Sequence, residues 1–538
     1  MDNIALIDAL KIEIAELTAE NSALKAELAE VKSKLDWLIE QLSSNRRRMF
    51  GSMSERSAYI GGDVQLGLFE DDTPEFVPIV PEDKPAAASD KKRPIKRGEL
   101  SSRLPDNIPI ETVVHELPEE ERVCPDCAGS MHSIGKVVVR RELKIIPAKA
   151  VVVEHVQNSY SCRNCEHNSS GDPPPIIKAG LPPQVIKGSL CAPETVSHIA
   201  VQKCVMGAPI YRQEADWNRN GIPIKRQTMA SWLIRCSEDY LEPIFDELHL
   251  RLCQHKFLHS DGTVIQVLRE PGKTPQSDSC MWVYRTSGDA EQPIILYEYQ
   301  PDKTQGRAKE FLKGFSGYLV TDGSSSYGGL PDEIILVGCH AHVRSKFFDA
   351  LKVIQKEEDR VGSLAFTGKE YCDSLFDIER EAKGMTFEER YTIRNEKSAP
   401  ILDEFRKWLL SNQPNIAPKS KLGIAVGYAL NQWTYLTRYL LDGRIEISNL
   451  RCERSIKPFV INRKNFLFST SVAGAKATAV FHSMTETAKE SGLNPHEYLS
   501  YIFRTAAGID LRRNHDMVIL LLPENAPESC RVPNKTDA

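Results

Sequence analysis

Lys256-Phe257-Leu258-His259-Ser260-Asp261-Gly262-Thr263-Val264-Ile265-Gln266-Val267-Leu268 decides the fold. Its β-branched and aromatic residues read as a strand, and an aspartate stands in the middle of it. A carboxylate inside an apolar strand is costly to bury unless it is paired or holds a metal. The pattern recurs downstream in Gly317-Tyr318-Leu319-Val320-Thr321-Asp322-Gly323, a short apolar run that ends in an acidic residue. Between the two, 281–286 and 294–299 read as further strands, joined by turns such as Ser287-Gly288-Asp289, and 305–313 reads as a helix. Beyond Asp322 come a strand at 333–337 and a helix at 340–354.

Three antiparallel strands, then helix, strand and helix, is the order of a ribonuclease-H-like core. A lone aspartate at a strand end is more often a turn cap. Two of them, each beside a glycine and each at the expected place of one fold, point to carboxylates converging on one site. Hard oxygen ligands suit Mg²⁺, which keeps its waters and binds substrate phosphates. Two such ions, roughly 3.5–4 Å apart, stabilise the attacking and leaving oxygens of an in-line displacement.

A third carboxylate follows a helical, charged stretch that contains Phe387-Glu388-Glu389-Arg390, Trp433 and Tyr435. It stands in Ile447-Ser448-Asn449-Leu450-Arg451-Cys452-Glu453-Arg454-Ser455-Ile456-Lys457-Pro458. On a helix Asn449, Glu453 and Ile456 share a face, so Glu453 can point inward to the aspartates. The next residues, Asn462-Arg463-Lys464-Asn465-Phe466-Leu467-Phe468-Ser469, set basic and amide groups beside aromatics. That suits a bent or opened DNA end, and equally a helix end with a solvated basic turn.

Working outward, the N-terminus carries a 3-4 apolar repeat over five heptads. Ile7, Ile14, Asn21, Leu28, Leu35 and Leu42 fall at position a, and Leu10, Leu17, Leu24, Val31 and Leu38 at d. This predicts a coiled coil, in register and parallel if Asn21 pairs across the seam, hence a homodimer. Glu20–Lys25 and Glu27–Lys32 supply opposite charges between chains. Arg46, Arg47 and Arg48 follow at the helix end, where they serve either the helix dipole or a phosphate backbone. Residues 62–100 have no helical or strand period and end in a basic run, as a flexible linker does.

Cys124-Pro125-Asp126-Cys127 and Cys162-Arg163-Asn164-Cys165 are two C-x-x-C knuckles with 34 residues between Cys127 and Cys162, a stretch rich in β-branched residues that predicts a hairpin. Four thiolates from two tight turns complete a tetrahedral, structural Zn²⁺ site. A Pro-rich turn leads into helices at about 190–250. There Tyr211-Arg212-Gln213-Glu214 begins one helix, Gly221 and Pro223 stop it, and a second runs from Lys225-Arg226-Gln227-Thr228 through Trp232. Helix, glycine turn and helix with a basic start resemble a helix-turn-helix DNA reader.

The bulk properties frame these readings. At 538 residues the chain is too long for one core, and 41% hydrophobic with 26% charged residues is an ordinary globular balance. No apolar run predicts a membrane span and the start is no secretory signal, so a cytoplasmic location is the default. The net charge of −6 leaves DNA contact to local basic faces. Most of the 13 cysteines stand singly in apolar contexts, as small buried hydrophobes do in a reducing compartment.

Glu453-Arg454-Ser455-Ile456-Lys457-Pro458 with Arg463-Lys464-Asn465-Phe466-Leu467-Phe468 resembles the ERxIRP…GRKNWLF signature of the insertion-sequence sixty-six family of transposases. The zipper, Phe50-Gly51 with Ser54-Glu55, the paired C-x-x-C, Pro209-Ile210-Tyr211-Arg212-Gln213, Cys339-His340-Ala341-His342-Val343-Arg344-Ser345-Lys346-Phe347 and Asn494-Pro495-His496-Glu497-Tyr498-Leu499 extend it along nearly the whole chain. The resemblance implies a catalytic triad of Asp261, Asp322 and Glu453 holding two Mg²⁺ or Mn²⁺ ions. It also implies binding of the element's terminal inverted repeats and target DNA at the nucleoid, and accessory proteins of the same element. The residues expected at DNA are Arg46, Arg47, Arg48, Lys225, Arg226, Arg454, Lys457, Arg463 and Lys464. Three departures stand out: Gly262 where the family has Glu, Ser448-Asn449-Leu450 for Asp-Asn-Asn, and Asn462 for Gly. The rival readings are a non-catalytic DNA-binding derivative and a nuclease without strand transfer.

The expected architecture is multidomain α+β with α/β parts. It runs as coiled coil 1–48, basic linker 49–105, zinc-binding β module 106–180, helical DNA-binding region 181–252, first part of the core 253–358, helical insertion 359–442, last part of the core with Glu453 443–490, and C-terminal helices 491–538.

Overall fold

The computed structural model describes residues 17, 18, 20, 150–161, 176–354 and 358–533. Leu17, Thr18 and Glu20 are helical. The rest of the expected coiled coil, Arg46, Arg47, Arg48, and the cysteines Cys124, Cys127, Cys162 and Cys165 lie outside the described residues. The chain divides into two compact units, one including Gln184–Cys530 and the other Pro78–Pro183. In the second, Ser159–Ser161 pairs antiparallel with Ile176–Lys178.

The larger unit is mixed α/β with a helical majority, built around one six-stranded sheet. Its strands are β1 (Phe257–Arg269), β2 (Asp278–Thr286), β3 (Ile295–Gln300), β4 (Gly317–Thr321), β5 (Ile334–Gly338) and β6 (Ser469–Ser471). The order across the sheet is β3-β2-β1-β4-β5, with β6 added to the far end of β1. β1, β2 and β3 are antiparallel, whereas β4 and β5 run parallel to β1. Sequence reading placed the first five to within a few residues and missed β6, three polar residues with no apolar alternation to mark them.

Side chains alternate across a strand, so β1 presents two faces. Leu258 faces a core with Trp282, Tyr284, Leu296 and Leu319. Four helices precede the sheet: α1 (Pro193–Cys204), α2 (Ile210–Arg219), α3 (Arg226–Cys236) and α4 (Glu242–Gln254). α1, α3 and α4 contribute Ile199, Leu233, Ile244 and Leu248 to that core. The expected glycine turn is present: Gly221 has φ +77° between α2 and α3. α3 passes into α4 through a π turn at Ser237–Leu241, which no sequence signal announced.

After α5 (Gln305–Phe311) and β4 comes α6 (His340–Val353), directly behind β5. The stretch expected as an insertion is helical: α7 (Leu364–Glu381), α8 (Phe387–Ile393), α9 (Ala399–Asn412) and α10 (Lys421–Asn431). Leu375, Phe405, Val426 and Trp433 join Val320, Val337 and Phe347 in a second core. Arg394 is buried within it, forked onto Glu379 at 2.7 Å through both Nε and Nη2.

The other face of β1, with Ile265 and Val267, is covered by α11 (Leu450–Phe466) through Cys452, Ile456 and Phe459. α12 (Val472–Glu490) lies along the β3 edge. The Tyr297 N–H donates to Ser483 Oγ at 2.7 Å and the Ile295 N–H to Thr487 Oγ1 at 3.0 Å. Those hydroxyls donate back to Tyr297 O and Ile295 O at 3.5 and 2.9 Å. At the opposite edge Arg438 Nη1 donates to Leu336 O of β5 at 2.8 Å. α13 (Pro495–Ala506) completes the first core.

Candidate active site

Asp261 lies mid-strand in β1, 1% exposed, and its Oδ1 accepts the Gly262 N–H at 2.7 Å. Asp322 follows β4 directly. In the parallel β1–β4 ladder His259 pairs with Val320, so Asp261 and Asp322 each stand two residues beyond a register pair. Asp261 thus lies within β1 and Asp322 just past the end of the neighbouring parallel strand, at the same level of the ladder. Gly323, with φ +79°, turns the chain away just behind Asp322, a backbone state in which a side chain is strained.

Glu453 stands on α11, 1% exposed, beside Cys452. Asn449, the residue before that helix, is fully buried and fastens it. Its Nδ2 donates to Ser260 O at 2.9 Å, its Oδ1 faces His259 Nδ1 at 3.2 Å, and its backbone N–H donates to Cys339 Sγ at 3.1 Å. The His340 N–H donates to Ile447 O at 3.1 Å. The starts of α6 and α11 are thus tied together beside the aspartate strand. Burial first, and then Asp261, Glu453 and Asp322, push the Cys452 thiol far up, against the opposing Arg285. The thiol thus feels the negative charge of all three carboxylates.

Among the described residues, the His, Cys, Asp and Glu set whose ligand atoms all lie within 4.8 Å of one another is Cys339, His342 and Glu453, not the three carboxylates. His342 Nδ1 is 3.6 Å from Glu453 Oε1. Burial lowers the His342 pKa, with Asp322 opposing and Lys346 assisting. Sequence reading noted the Cys339–Phe347 segment as a family mark and gave it no role. The signal was there, since a Cys-x-x-His at the end of a parallel strand delivers both side chains to the strand-end site. Tyr428 donates its hydroxyl hydrogen to Asp322 O at 2.7 Å, and Lys346 Nζ lies 4.6 Å from the centre of its ring.

The basic residues expected at DNA separate into kinds. Arg454 and Lys464 are exposed and Lys457 is half-buried. Arg463 turns back onto β1, reaching Thr263 Oγ1 at 3.2 Å and Val264 O. Lys225 and Arg226 are exposed at the start of α3, where the Arg226 N–H donates to Glu214 Oε1 of α2 at 2.9 Å. Two of the departures have structural roles. Gly262 leaves only 3.2–3.3 Å between a would-be Cβ and Cys280 or Trp282. Asn462 donates from Nδ2 to Cys204 O at 2.6 Å, joining α11 to α1.

Comparison with known proteins gives the class. The profile described as Transposase IS66 family matches residues 188–477, more than half of the chain, and the one described as zinc-finger binding domain of transposase IS66 matches 121–166. The chain belongs to the IS66 family of transposases. Family membership carries divalent-metal use, and the zinc-finger match, which includes Cys124, Cys127, Cys162 and Cys165, carries zinc. Among similar proteins, "Uncharacterized protein y4jD" of Sinorhizobium fredii is 30% identical over 77% of this chain and 82% of its own length. "Uncharacterized protein y4hP" of the same organism is 27% identical over 90% of this chain and 88% of its own length. The solved Drosophila P element transposase strand transfer complex, at 11% identity and a TM-score of 0.21 over 62% of this chain and 94% of that chain, is too distant a likeness to carry an argument. No helix among the described residues is long and apolar enough to cross a membrane.

Proposed function

We propose that this transposase cleaves and joins DNA at a ribonuclease-H-like site formed by Asp261, Asp322 and Glu453. The observation that supports the reading is the β1–β4 register, in which Asp261 and Asp322 each stand two residues beyond the His259–Val320 pair, with the Glu453 helix over that side of β1. The strand order β3-β2-β1-β4-β5, with three antiparallel strands and then two parallel ones, supports the fold assignment. The stretch 359–442 is then an insertion between the second and third carboxylates.

The three carboxylates would hold two divalent cations, Mg²⁺ or Mn²⁺, which when bound neutralise charge on the attacking and leaving oxygens. Asp261 is held within β1, Asp322 just past the end of β4, and Asn449 ties the start of the Glu453 helix to β1. In the first step water attacks the phosphorus at an element end; the bond to the 3′-oxygen breaks and a 3′-hydroxyl is freed. In the second, that hydroxyl attacks a target phosphodiester, and a target 3′-oxygen leaves. In this reading Arg454, Lys457, Arg463 and Lys464 of α11, Lys225 and Arg226 of α3, and Arg46, Arg47 and Arg48 after the zipper would meet DNA, Arg463 after leaving its contacts on β1. The zipper would pair two copies, one per DNA end, and the Cys124, Cys127, Cys162 and Cys165 module would hold structural Zn²⁺. Accessory proteins of the element join the reaction, in the cytoplasm at the nucleoid.

The test is cleavage of an end-labelled terminal-repeat duplex in Mg²⁺, followed by recovery of joined target. Asp261→Asn and Glu453→Gln are each expected to abolish cleavage while DNA binding persists. Full cleavage by either variant sinks the assignment. Binding without cleavage by the parent protein favours the non-catalytic reading, and cleavage without joined product favours the nuclease.

A further inference from the structure

We propose that Cys339, His342 and Glu453 form a binding site for one thiophilic divalent ion of the Zn²⁺ or Co²⁺ type. The inference deepens the reading of Glu453 given above and rests on it for the role of that residue toward DNA; the cluster itself stands on its own geometry.

The fold brings the three together from two chain segments. β4 and β5 are in register at Thr321 and Gly338, so Asp322 and Cys339 leave the sheet side by side at the ends of neighbouring parallel strands. Cys339 is the residue just before α6, and His342 follows three positions later in the first turn. Glu453 arrives in the first turn of α11, held there by the Asn449 N–H on Cys339 Sγ. All three side chains are buried, with their ligand atoms within 4.8 Å of one another.

The donor atoms are prepared for an ion in two ways. His342 is 8% exposed, and its Nδ1 has no hydrogen-bond partner; it faces Glu453 Oε1 at 3.6 Å, beyond hydrogen-bond length. A buried ring nitrogen aimed at a carboxylate without touching it leaves room for a cation between them. Cys339 Sγ receives the Asn449 backbone N–H at 3.1 Å, the kind of outer-shell contact that steadies a metal-bound thiolate.

The donor set selects the ion. Mg²⁺ prefers an all-oxygen shell and sheds water reluctantly, whereas sulfur, imidazole nitrogen and carboxylate oxygen together suit zinc and its congeners. Zinc bonds of about 2.0–2.3 Å put tetrahedral ligands roughly 3.3–3.8 Å apart, so closing this set takes side-chain movements of about an ångström or less. Three protein ligands leave a four-coordinate ion one position for water or a phosphate oxygen. An ion held here competes with the Mg²⁺ reaction for Glu453.

The experiment uses the full-length protein with its zinc module first filled by one equivalent of Zn²⁺. Co²⁺ is then titrated while thiolate-to-cobalt charge-transfer absorption is followed. One further equivalent with a thiolate band is expected. Cys339→Ser should lose the band, and His342→Ala should weaken binding by at least roughly tenfold to a hundredfold. Asp261→Asn should keep the band while losing cleavage. Absence of the band in the parent protein, or an unchanged band in Cys339→Ser, overturns the proposal, and the first of these does not depend on any variant folding. Mg²⁺-dependent cleavage without the band sinks this inference alone. The band without cleavage sinks the cleavage reading alone.

Discussion

Replacing Asn449 by alanine separates the scaffold of the site from its chemistry. The side chain is fully buried and makes two bonds: Nδ2 to Ser260 O at 2.9 Å, and Oδ1 to His259 Nδ1 at 3.2 Å. Because Nδ2 is the donor to Ser260 O, the ring of His259 must donate from Nδ1. Alanine leaves a buried carbonyl and a buried ring N–H unmatched, at about 1–3 kcal/mol each, so the expected loss is about 2–4 kcal/mol after partial relaxation. The second effect falls on Glu453, one turn along α11. A displacement of about 1 Å at a reacting group costs roughly a hundredfold in rate. The assays are urea denaturation of the full chain and single-turnover cleavage of a terminal-repeat duplex at saturating protein. Asn449→Ala should lower the denaturation midpoint and slow cleavage about a hundredfold without weakening DNA binding. A variant that loses the stability yet cleaves at the parent rate would refute the claim that this amide positions Glu453.

Three further outcomes follow from the structure. Burial holds the His482 ring down to about 3 and the His340 ring down to about 4, each against one hydrogen bond to a backbone carbonyl. Since both folded values lie below the unfolded value of about 6.5, their stabilisation is complete above that pH and is lost as pH falls, at about 1.4 kcal/mol per unit for each ring. Denaturation midpoints should therefore drop steadily between pH 6.5 and 5, and His482→Gln should flatten the slope; a level profile in the parent protein contradicts the account. Arg394→Ala removes the buried fork onto Glu379 and two donors to Tyr439 O and Asp442 O at 3.1 Å, with an expected cost of about 3–5 kcal/mol. Limited proteolysis should then cut first within 359–442, and Arg394→Lys should not rescue it, lacking the planar fork. Leu467 has φ +64° and is largely exposed, so Leu467→Gly should raise stability by about 1 kcal/mol in thermal or urea unfolding; a loss would show that the leucine is held there by contacts rather than by strain.

How much of this could be read from the sequence depended on whether the signal was local. β1, β2 and β3 carry β-branched and aromatic runs bounded by turn residues, and they form where expected. Asp261 and Asp322 were picked out through the order of the strands and the family resemblance, since an acid at a strand end is by itself more often a turn cap. Glu453 came from its motif and its helical face. What stayed hidden depends on contacts between distant segments. Nothing near Asn449 foretells that its amide bridges to Ser260, 189 positions away, or that Cys339 accepts its N–H. His342 looked like one member of a motif and became a neighbour of Glu453 only when two helices were brought together. No local signal at Ser483 or Thr487 announces their bonds to the β3 edge.

Those two hydroxyls have a consequence for assembly. An open sheet edge is a template on which another chain can grow. Here Ser483 and Thr487 occupy the hydrogen-bonding positions that a seventh strand would need at one border, and Arg438 takes a carbonyl at the other. Each border of the sheet thus has at least one backbone group taken by a side chain of a neighbouring element. A second copy could add a strand at the β3 border only by displacing those two hydroxyls, so pairing of copies through that edge is disfavoured.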